Sequence, residues 1–273
     1  MSTDVTYPRG RFLNLVDSEW RRMTHRRVVR WLLLAGLALY LLVIVIAFFN
    51  HSKSGEPHPP FLFGTTAGDG AVAVGVAVAI FMYIIGTTYA GAEWSQRTIV
   101  ALLFWEPRRW RVMQAKILVV AITAAVLTVV TQIVWLATAL FLAAAKGTTA
   151  RPSGFWSDLL IRQGLVLIFT VLVAWLGFGI ANLVRVSAAS LGVGFVYFVI
   201  VEMVVAAYWH WAQQFLLLVN SAALLTRGGV DLGDNPDDPG RHISTLHGGI
   251  LWAIVSLGVL AIGSVLFSRR DAA

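Results

Sequence analysis

The stretch Glu93-Trp-Ser-Gln-Arg-Thr-Ile-Val-Ala-Leu-Leu-Phe-Trp-Glu-Pro-Arg-Arg-Trp-Arg-Val-Met-Gln-Ala-Lys116 is a polar segment between two long apolar runs. Neither the run before it (residues 71–92) nor the run after it (residues 117–145) contains a charged residue. Five of the chain's 21 lysine and arginine residues lie in this segment, and such residues are enriched in cytoplasmic connections between membrane helices. The stretch, hereafter the connecting segment, therefore predicts two spanning helices joined on the cytoplasmic side.

The composition indicates that the whole chain of 273 residues, and not only this stretch, is a membrane protein. It is 58% hydrophobic and 13% charged, against about 25% charged residues in a soluble domain. Each apolar run approaches or exceeds the roughly 20 residues that cross a bilayer as a helix, and the alternating pattern of a membrane β-barrel is absent. We predict one transmembrane domain (1–273), an all-α polytopic membrane protein, with six spans at 31–49, 71–92, 117–145, 163–184, 186–209 and 249–267.

The distribution of basic residues predicts the orientation. With the N-terminus inside, the cytoplasmic segments carry fifteen lysine and arginine residues and the outer loops carry five. This bias predicts that both termini are cytoplasmic. Arginine outnumbers lysine 18 to 3, which is typical of GC-rich bacterial genomes, and the predicted location is the bacterial cytoplasmic (inner) membrane.

Several function classes are excluded by what the sequence lacks. The basic residues are scattered at helix ends, a pattern that favours contact with membrane lipid and argues against binding of nucleic acid. There is no cysteine, which excludes disulfides and thiolate metal sites. No cleavable signal peptide is expected, and no P-loop, His-Glu-x-x-His or Gly-x-Ser-x-Gly motif occurs. The chain is therefore not predicted to be an enzyme or to bind a cofactor itself.

Two segments outside the spans are predicted to be amphipathic helices. In residues 8–30 an apolar stripe of Phe12, Val16, Trp20 and Met23 predicts an interfacial helix. Its other faces are expected to carry Arg11, Asp17, Glu19, Arg21 and Arg22. The connecting segment (93–116) predicts a short helix capped by Ser95 or Thr98, with an apolar body from Ile99 to Phe104 and an end at Pro107. Its apolar residues Leu102, Leu103 and Phe104 suit docking onto a soluble partner.

The fourth and fifth spans are joined by a tight turn at Arg185. The fourth span carries Gly177 and Gly179, and the fifth carries Gly192 and Gly194, which follow the small residues Ala188 and Ser190 by four positions each. Such positions either allow close helix packing or are generic small residues of apolar helices.

The outer segment 210–248 begins with an apolar stretch (211–226) that predicts an interfacial or re-entrant helix. The acidic residues at 231–238 fit a solvated loop, and a calcium site is the alternative. Five histidines are expected on the outer side: His51, His58, His210, His242 and His247. An alternative interpretation is that they bind a metal or haem.

Two polar residues inside spans are candidates for a translocation path. Glu202 lies in a fully apolar context, where a carboxylate facing lipid is costly, so it is expected to face protein or water. The functional interpretation is a residue lining a substrate path, and the structural one is a buried pair with Asn182 or Arg162. Asn182 has the same two interpretations.

These features together resemble the permease subunits of ABC-2 type transporters. The residues that carry the resemblance are Glu93, Arg97-Thr98, the apolar helix with Leu102, Leu103 and Phe104, then Pro107-Arg108-Arg109-Trp110 and Lys116. They are similar to the family's glutamate, coupling helix and basic entry into the third span, although the family often has glycine where this chain has Arg97.

The resemblance implies a permease coupled through Glu93–Arg109 to a separate ABC ATP-binding subunit that holds the ATP and Mg²⁺. It implies a dimer with a second permease, either an identical copy or a paralogue. Together with the 11 tryptophans and 15 phenylalanines, it favours export of a hydrophobic or amphipathic compound such as a drug, lipid or peptide. The alternatives are a membrane metal or haem protein, or an enzyme, using the outer histidines, and a non-transporting anchor for an ATPase.

Overall fold

A computed structural model of the chain describes residues 12–50, 61–95, 108–232 and 241–269. In this part six helices are long and apolar enough to cross a membrane, which confirms the predicted all-α polytopic class. The helices in chain order are α1 (Phe12–Thr24), α2 (Arg27–Asn50), α3 (Phe63–Ser95), α4 (Arg109–Lys146), α5 (Phe155–Val184), α6 (Ser187–Phe195), a π-helical stretch (Val196–Val201), α7 (Glu202–Tyr208), a 3-10 helix (His210–Phe215), α8 (Leu217–Leu225) and α9 (Thr245–Arg269). The fifth long helix is Ser187–Tyr208, which includes α6, the π-helical stretch and α7.

Several spanning helices are longer than the apolar runs within them. α3 begins at Phe63, α4 at Arg109 and α5 at Phe155, eight residues before each of the predicted spans. Charge at the membrane surface does not stop a helix, since hydropathy sets the part that lies in lipid and not the full helical length. The basic end of the connecting segment, up to Lys116, is therefore the first part of α4.

The centre of the bundle is the contact between α3 and α5, which approach closely because a glycine of each helix faces the backbone of the other. A Cβ atom added to Gly86 would lie 2.6 Å from the carbonyl oxygen of Ala174, and one added to Gly177 would lie 2.6 Å from that of Tyr83. Gly179 packs in the same way on the backbone of Leu260 in α9. The close-packing interpretation therefore holds for Gly177 and Gly179.

The turn between α5 and α6 has only two residues, Arg185 and Val186. It sets α6 beside α3, where the Tyr83 hydroxyl donates a hydrogen bond to the carbonyl oxygen of Ser190 (3.0 Å). Gly194 also packs on Tyr83, whereas no atom of the described residues lies within 4 Å of a Cβ built on Gly192. Of the two glycines in the fifth span, Gly194 is the one at a helix contact within the chain.

After α7 the chain folds back against the bundle. The 3-10 helix and α8 divide the predicted helix 211–226 in two, and α8 packs on α5 and α9. The short strands β3 (Val230–Leu232) and β4 (Arg241–Ile243) then form an antiparallel hairpin. Two further strands, β1 (Phe61–Leu62) and β2 (Gly147–Thr148), pair in parallel near the same end of the bundle.

Candidate functional site

The two ends of the connecting segment meet at a buried group of charged side chains. Glu93 at the end of α3 and Lys116 near the start of α4 are each 2% exposed, and Lys116 Nζ lies 2.8 Å from Glu93 Oε1. Lys116 Nζ also lies 2.8 Å from Oε2 of Glu19 in α1. We call the group the ion cluster and define it by its members Glu19, Arg22, Arg26, Tyr89, Glu93 and Lys116.

Glu19 is the member that brings α1 into the cluster. It was expected on a polar face of the interfacial helix, and this was wrong: Glu19 is fully buried, as is Met23 one turn later. The burial is tolerated because the Tyr89 hydroxyl donates to Glu19 Oε2 (2.5 Å) alongside the ammonium group of Lys116. A buried carboxylate needs such partners to offset the loss of its hydration.

Two arginines complete the cluster from the α1 side. Arg22 Nη1 lies 3.3 Å from Glu19 Oε1, and Arg26 Nη2 lies 3.3 Å from Glu93 Oε1. Arg26 also donates to the backbone carbonyl of Tyr89 (3.1 Å) and stacks on its ring, with 5.1 Å between guanidinium carbon and ring centroid. Glu19 is therefore held by the lysine and by Arg22, and Glu93 is held by the lysine, by Arg26 and, at 3.9 Å, by Arg22.

The charge state of Glu19 follows from these contacts. Burial raises the pKa of this carboxyl, but the charge of Lys116, the hydrogen bonds from Lys116 and Tyr89, and the charge of Arg22 together lower it below its ordinary value. Glu19 is therefore ionised at neutral pH. A buried network of this kind fixes relative positions more reliably than it adds net stability. Here it fixes α1, the end of α3 and the start of α4 as one unit.

The remaining predicted coupling residues are only partly within the described chain. Arg97, Thr98, Leu102, Leu103, Phe104 and Pro107 lie outside the described residues. Arg108 is exposed just before α4, and Arg109 is the first residue of that helix. The neighbouring Trp110 is 54% exposed. Basic and aromatic side chains are thus presented where the chain returns to the bundle.

Glu202 lies at the other end of the bundle and is 2% exposed. Its carboxylate accepts the backbone N–H of Leu218, with Oε2 at 2.8 Å and Oε1 at 3.1 Å, and also hydrogen-bonds with Leu217 and Tyr197. Leu217 and Leu218 are the first two residues of α8, so Glu202 satisfies N–H groups that the helix itself leaves unpaired.

The partners suggested for Glu202 from the sequence were wrong. Arg162 forms an ion pair with Asp69 (3.4 Å). Asn182 is buried at the opposite end of α5, where its Nδ2 donates to the carbonyl oxygen of Phe178 (2.8 Å) and its Oδ1 accepts from Trp94 Nε1 (3.4 Å). The two candidate path residues are therefore not neighbours and belong to different parts of the bundle.

The histidines and acidic loop residues do not form a metal site within the described chain, where no group of three or more possible ligands occurs. His242 pairs with Asp231 (2.7 Å), and His247 faces the carbonyl oxygen of Gln214 (3.4 Å). His51, His58 and residues 233–240 lie outside the described residues. The geometry described gives the metal or haem alternative no support.

Sequence reasoning missed Glu19, Arg26 and Tyr89. A signal for Glu19 was present, because it lies three residues after Val16 and four before Met23. That spacing puts it on the apolar stripe itself. A carboxylate within the buried face of a helix requires a cation as its partner. Nothing comparable in the sequence marks Tyr89 or Arg26.

One family model matches the chain over residues 15–201, which is more than half of its length, and its description is ABC-2 family transporter protein. The match begins within α1 and therefore includes every member of the ion cluster, and it ends immediately before Glu202. No curated protein matches the chain.

Proposed function

This chain belongs to the ABC-2 transporter family, and we propose that within it the chain is the permease subunit of an exporter for hydrophobic or amphipathic compounds. Membership supports a membrane permease that associates with an ATP-binding subunit. The export direction, the class of cargo and a dimer of permeases are our proposal. The location in a bacterial inner membrane, with both termini in the cytoplasm, is also part of our proposal.

The observation that carries the proposal is the position of the ion cluster. Its members Glu93 and Lys116 are the two ends of the connecting segment. Lys116 lies 2.8 Å from Glu19 of α1, and Glu93 lies 3.9 Å from Arg22 of α1 and 3.3 Å from Arg26, which links α1 to α2. A force applied by a partner to residues 96–107 would therefore reach α1, α3 and α4 together. This is what a coupling element needs, since motion of an ATP-binding subunit has to be converted into movement of whole helices.

Apolar cargo is supported by the character of the surfaces that the bundle offers. The helix α2 makes few contacts with the other described helices, and with α3 and α4 it lines an apolar cavity of about 350 Å³. The surface of the fifth long helix is likewise rich in exposed apolar side chains, among them Phe195 and Met203. Part of these surfaces would face lipid, and part would face the second permease and the cargo.

Glu202 and Asn182 have different places in this proposal. Glu202 holds the N-terminus of α8 and would set the shape of the outer end of the path. Asn182 lies beside Trp94, the second residue of the connecting segment, and would respond to movement at the ATP-binding subunit. Neither residue needs to touch cargo to influence transport.

The deciding experiment is co-purification with the ATP-binding subunit. We expect Leu103→Asp to release that subunit while the permease still inserts, because a charge would oppose burial of the coupling helix in a partner groove. Ser268→Asp is the matched control, since it adds the same charge at an exposed position on the same side of the bundle. Equal recovery of the ATP-binding subunit with both variants would refute the coupling role of the segment.

The exporter assignment needs its own measurement. In proteoliposomes that contain both subunits, we expect apolar compounds to stimulate ATP hydrolysis and to accumulate on the side away from the ATP-binding subunit. Hydrolysis that no compound stimulates, or accumulation on the opposite side, would contradict an exporter even if the two subunits associate.

A further inference from the structure

Arg185, in the turn between α5 and α6, has an unusual backbone conformation. Its φ is 65°, and it is the only non-glycine residue with a positive φ among residues 12–50, 61–95, 108–232 and 241–269. Glycine is the usual residue where a helix ends in this left-handed conformation, because a Cβ atom is disfavoured there. The arginine at this position therefore departs from the residue that the backbone favours.

The side chain lies on a rigid aromatic platform. The guanidinium carbon of Arg185 is 4.3 Å from the ring centroid of Trp94, within the range of a cation–π contact. Trp94 is itself held by Asn182 and by an edge-on contact with Phe267 of α9 (5.9 Å between ring centroids). A Cβ on Gly91 would lie 2.7 Å from the backbone nitrogen of Ser187, so α3 and the turn are also in close contact. Three helices therefore fix the position of the guanidinium group.

No anion within the described residues neutralises this group. The Nε and Nη2 atoms of Arg185 are buried without a hydrogen-bond partner. All seven carboxylates of the described chain are engaged elsewhere: Asp17 with Arg21, Glu19 and Glu93 with Lys116, Asp69 with Arg162, Asp158 with Arg227, Glu202 with Leu218, and Asp231 with His242. A desolvated arginine that is oriented in this way lacks only an acceptor.

We propose that Arg185 binds the phosphate group of a membrane phospholipid. The turn has two residues between two spanning helices, so it is too short to leave the headgroup layer, and the neighbouring Val186 is 48% exposed. An arginine beside a tryptophan at a helix end lies at the depth of lipid phosphates. The guanidinium group suits a phosphate because its donors match the phosphate oxygens in geometry. Arg185 as a whole is half-buried and so is partly accessible from the headgroup layer, and the lipid phosphate supplies the acceptor that the described chain lacks.

The test measures lipid retention by the purified full chain. After delipidation in neutral detergent, phosphatidylglycerol is added and bound lipid is counted by native mass spectrometry. We expect Arg185→Gly and Arg185→Asn to weaken the tightest binding event about tenfold, the effect of losing one charge-assisted contact. Both residues tolerate the left-handed turn, so the unfolding temperature should not fall. Arg30→Asn, at an exposed arginine in the first turns of α2, is the control and should bind like the unchanged chain.

Three results would overturn the proposal. The first is equal binding of phosphatidylglycerol by the unchanged chain and by both Arg185 variants. This is also the result expected if Glu106 or Asp271 of the chain itself occupied the guanidinium group. The second is displacement of the lipid by an equal concentration of inorganic phosphate, which would make the site one for a free anion. The third is release of the ATP-binding subunit by Arg185→Asn with lipid binding intact, which would assign Arg185 to protein docking.

Discussion

The ammonium group of Lys116 lies 2.8 Å from a carboxylate oxygen of Glu19, although 97 residues separate the two along the chain. The contact joins a helix outside the spanning bundle to the start of the third spanning helix. Both side chains are almost fully buried, at 3% exposure for Lys116 and 0% for Glu19. Neither residue can lose its partner without leaving a charge out of water, so the contact makes the position of α1 dependent on that of α4.

The first prediction concerns Lys116→Met. This change leaves Glu19 and Glu93 buried with only arginines at the edge of the cluster, and breaking a buried pair costs about 3–5 kcal/mol. We expect a large fall in the thermal unfolding temperature of the detergent-solubilised chain. The control is Arg21→Met, because the ion pair of Arg21 among the described residues is with Asp17 on the exposed side of α1. Such a surface pair contributes about 0–1 kcal/mol. Similar unfolding temperatures for the two variants would show that the cluster does not hold α1.

The second prediction is a pH dependence that Glu19 introduces. Its pKa is lowered in the folded chain, so the unfolded state takes up a proton first as the pH falls. The stability from Glu19 is therefore complete above the ordinary pKa of a glutamate, about 4.3, and is lost as the pH falls through the lower folded value. We expect the unfolding temperature of the unchanged chain to fall more steeply below about pH 4.5 than that of Glu19→Gln. Parallel curves for the two proteins would contradict this origin.

The sequence was sufficient for the fold class because a bilayer imposes a length and a composition on every spanning segment. The partners of buried polar residues could not be predicted in the same way. Glu202 was recognised as needing a partner, but that partner is the start of α8, which forms only after the chain turns back on itself. Glu19 was predicted on the solvated face of α1 because it is a charged residue. Its spacing from Val16 and Met23 predicted burial.

The third prediction concerns the contact between α3 and α5. A Cβ atom at Gly177 would lie 2.6 Å from the carbonyl oxygen of Tyr83, so Gly177→Ala must push the two helices apart. Overpacking of this kind costs about 1–3 kcal/mol. Gly164→Ala on the same helix is the control, because in the described part of the chain no atom lies within 4 Å of a Cβ at that position. We expect a lower unfolding temperature for the first variant and an unchanged or higher one for the second. The reverse order would contradict the observed packing.

The fourth prediction concerns orientation. Because basic residues favour the cytoplasmic side, we expect both termini inside and the segment 210–248 outside. The chain has no cysteine, so single cysteines at Ser2 and Asp234 give an unambiguous test. An impermeant thiol reagent applied to intact cells should label position 234 and not position 2, with both labelled after lysis as the control. Labelling of position 2 alone in intact cells would invert the topology and remove the cytoplasmic site proposed for the ATP-binding subunit.

The last prediction separates the two interpretations of Glu202. Its carboxylate accepts N–H groups at the start of α8, an interaction equivalent to a helix cap, and loss of a cap costs about 0.5–2 kcal/mol. Glu202→Gln keeps one acceptor oxygen, so we expect folding and assembly to persist while transport or cargo-stimulated ATP hydrolysis changes.

Glu202→Leu removes every acceptor, and it should loosen α8 and make a cysteine at the buried Ser221 reactive to thiol reagents. Wild-type transport by Glu202→Gln together with a loosened α8 in Glu202→Leu would make the residue purely structural. Unchanged Ser221 reactivity in Glu202→Leu would instead show that α8 does not depend on this carboxylate.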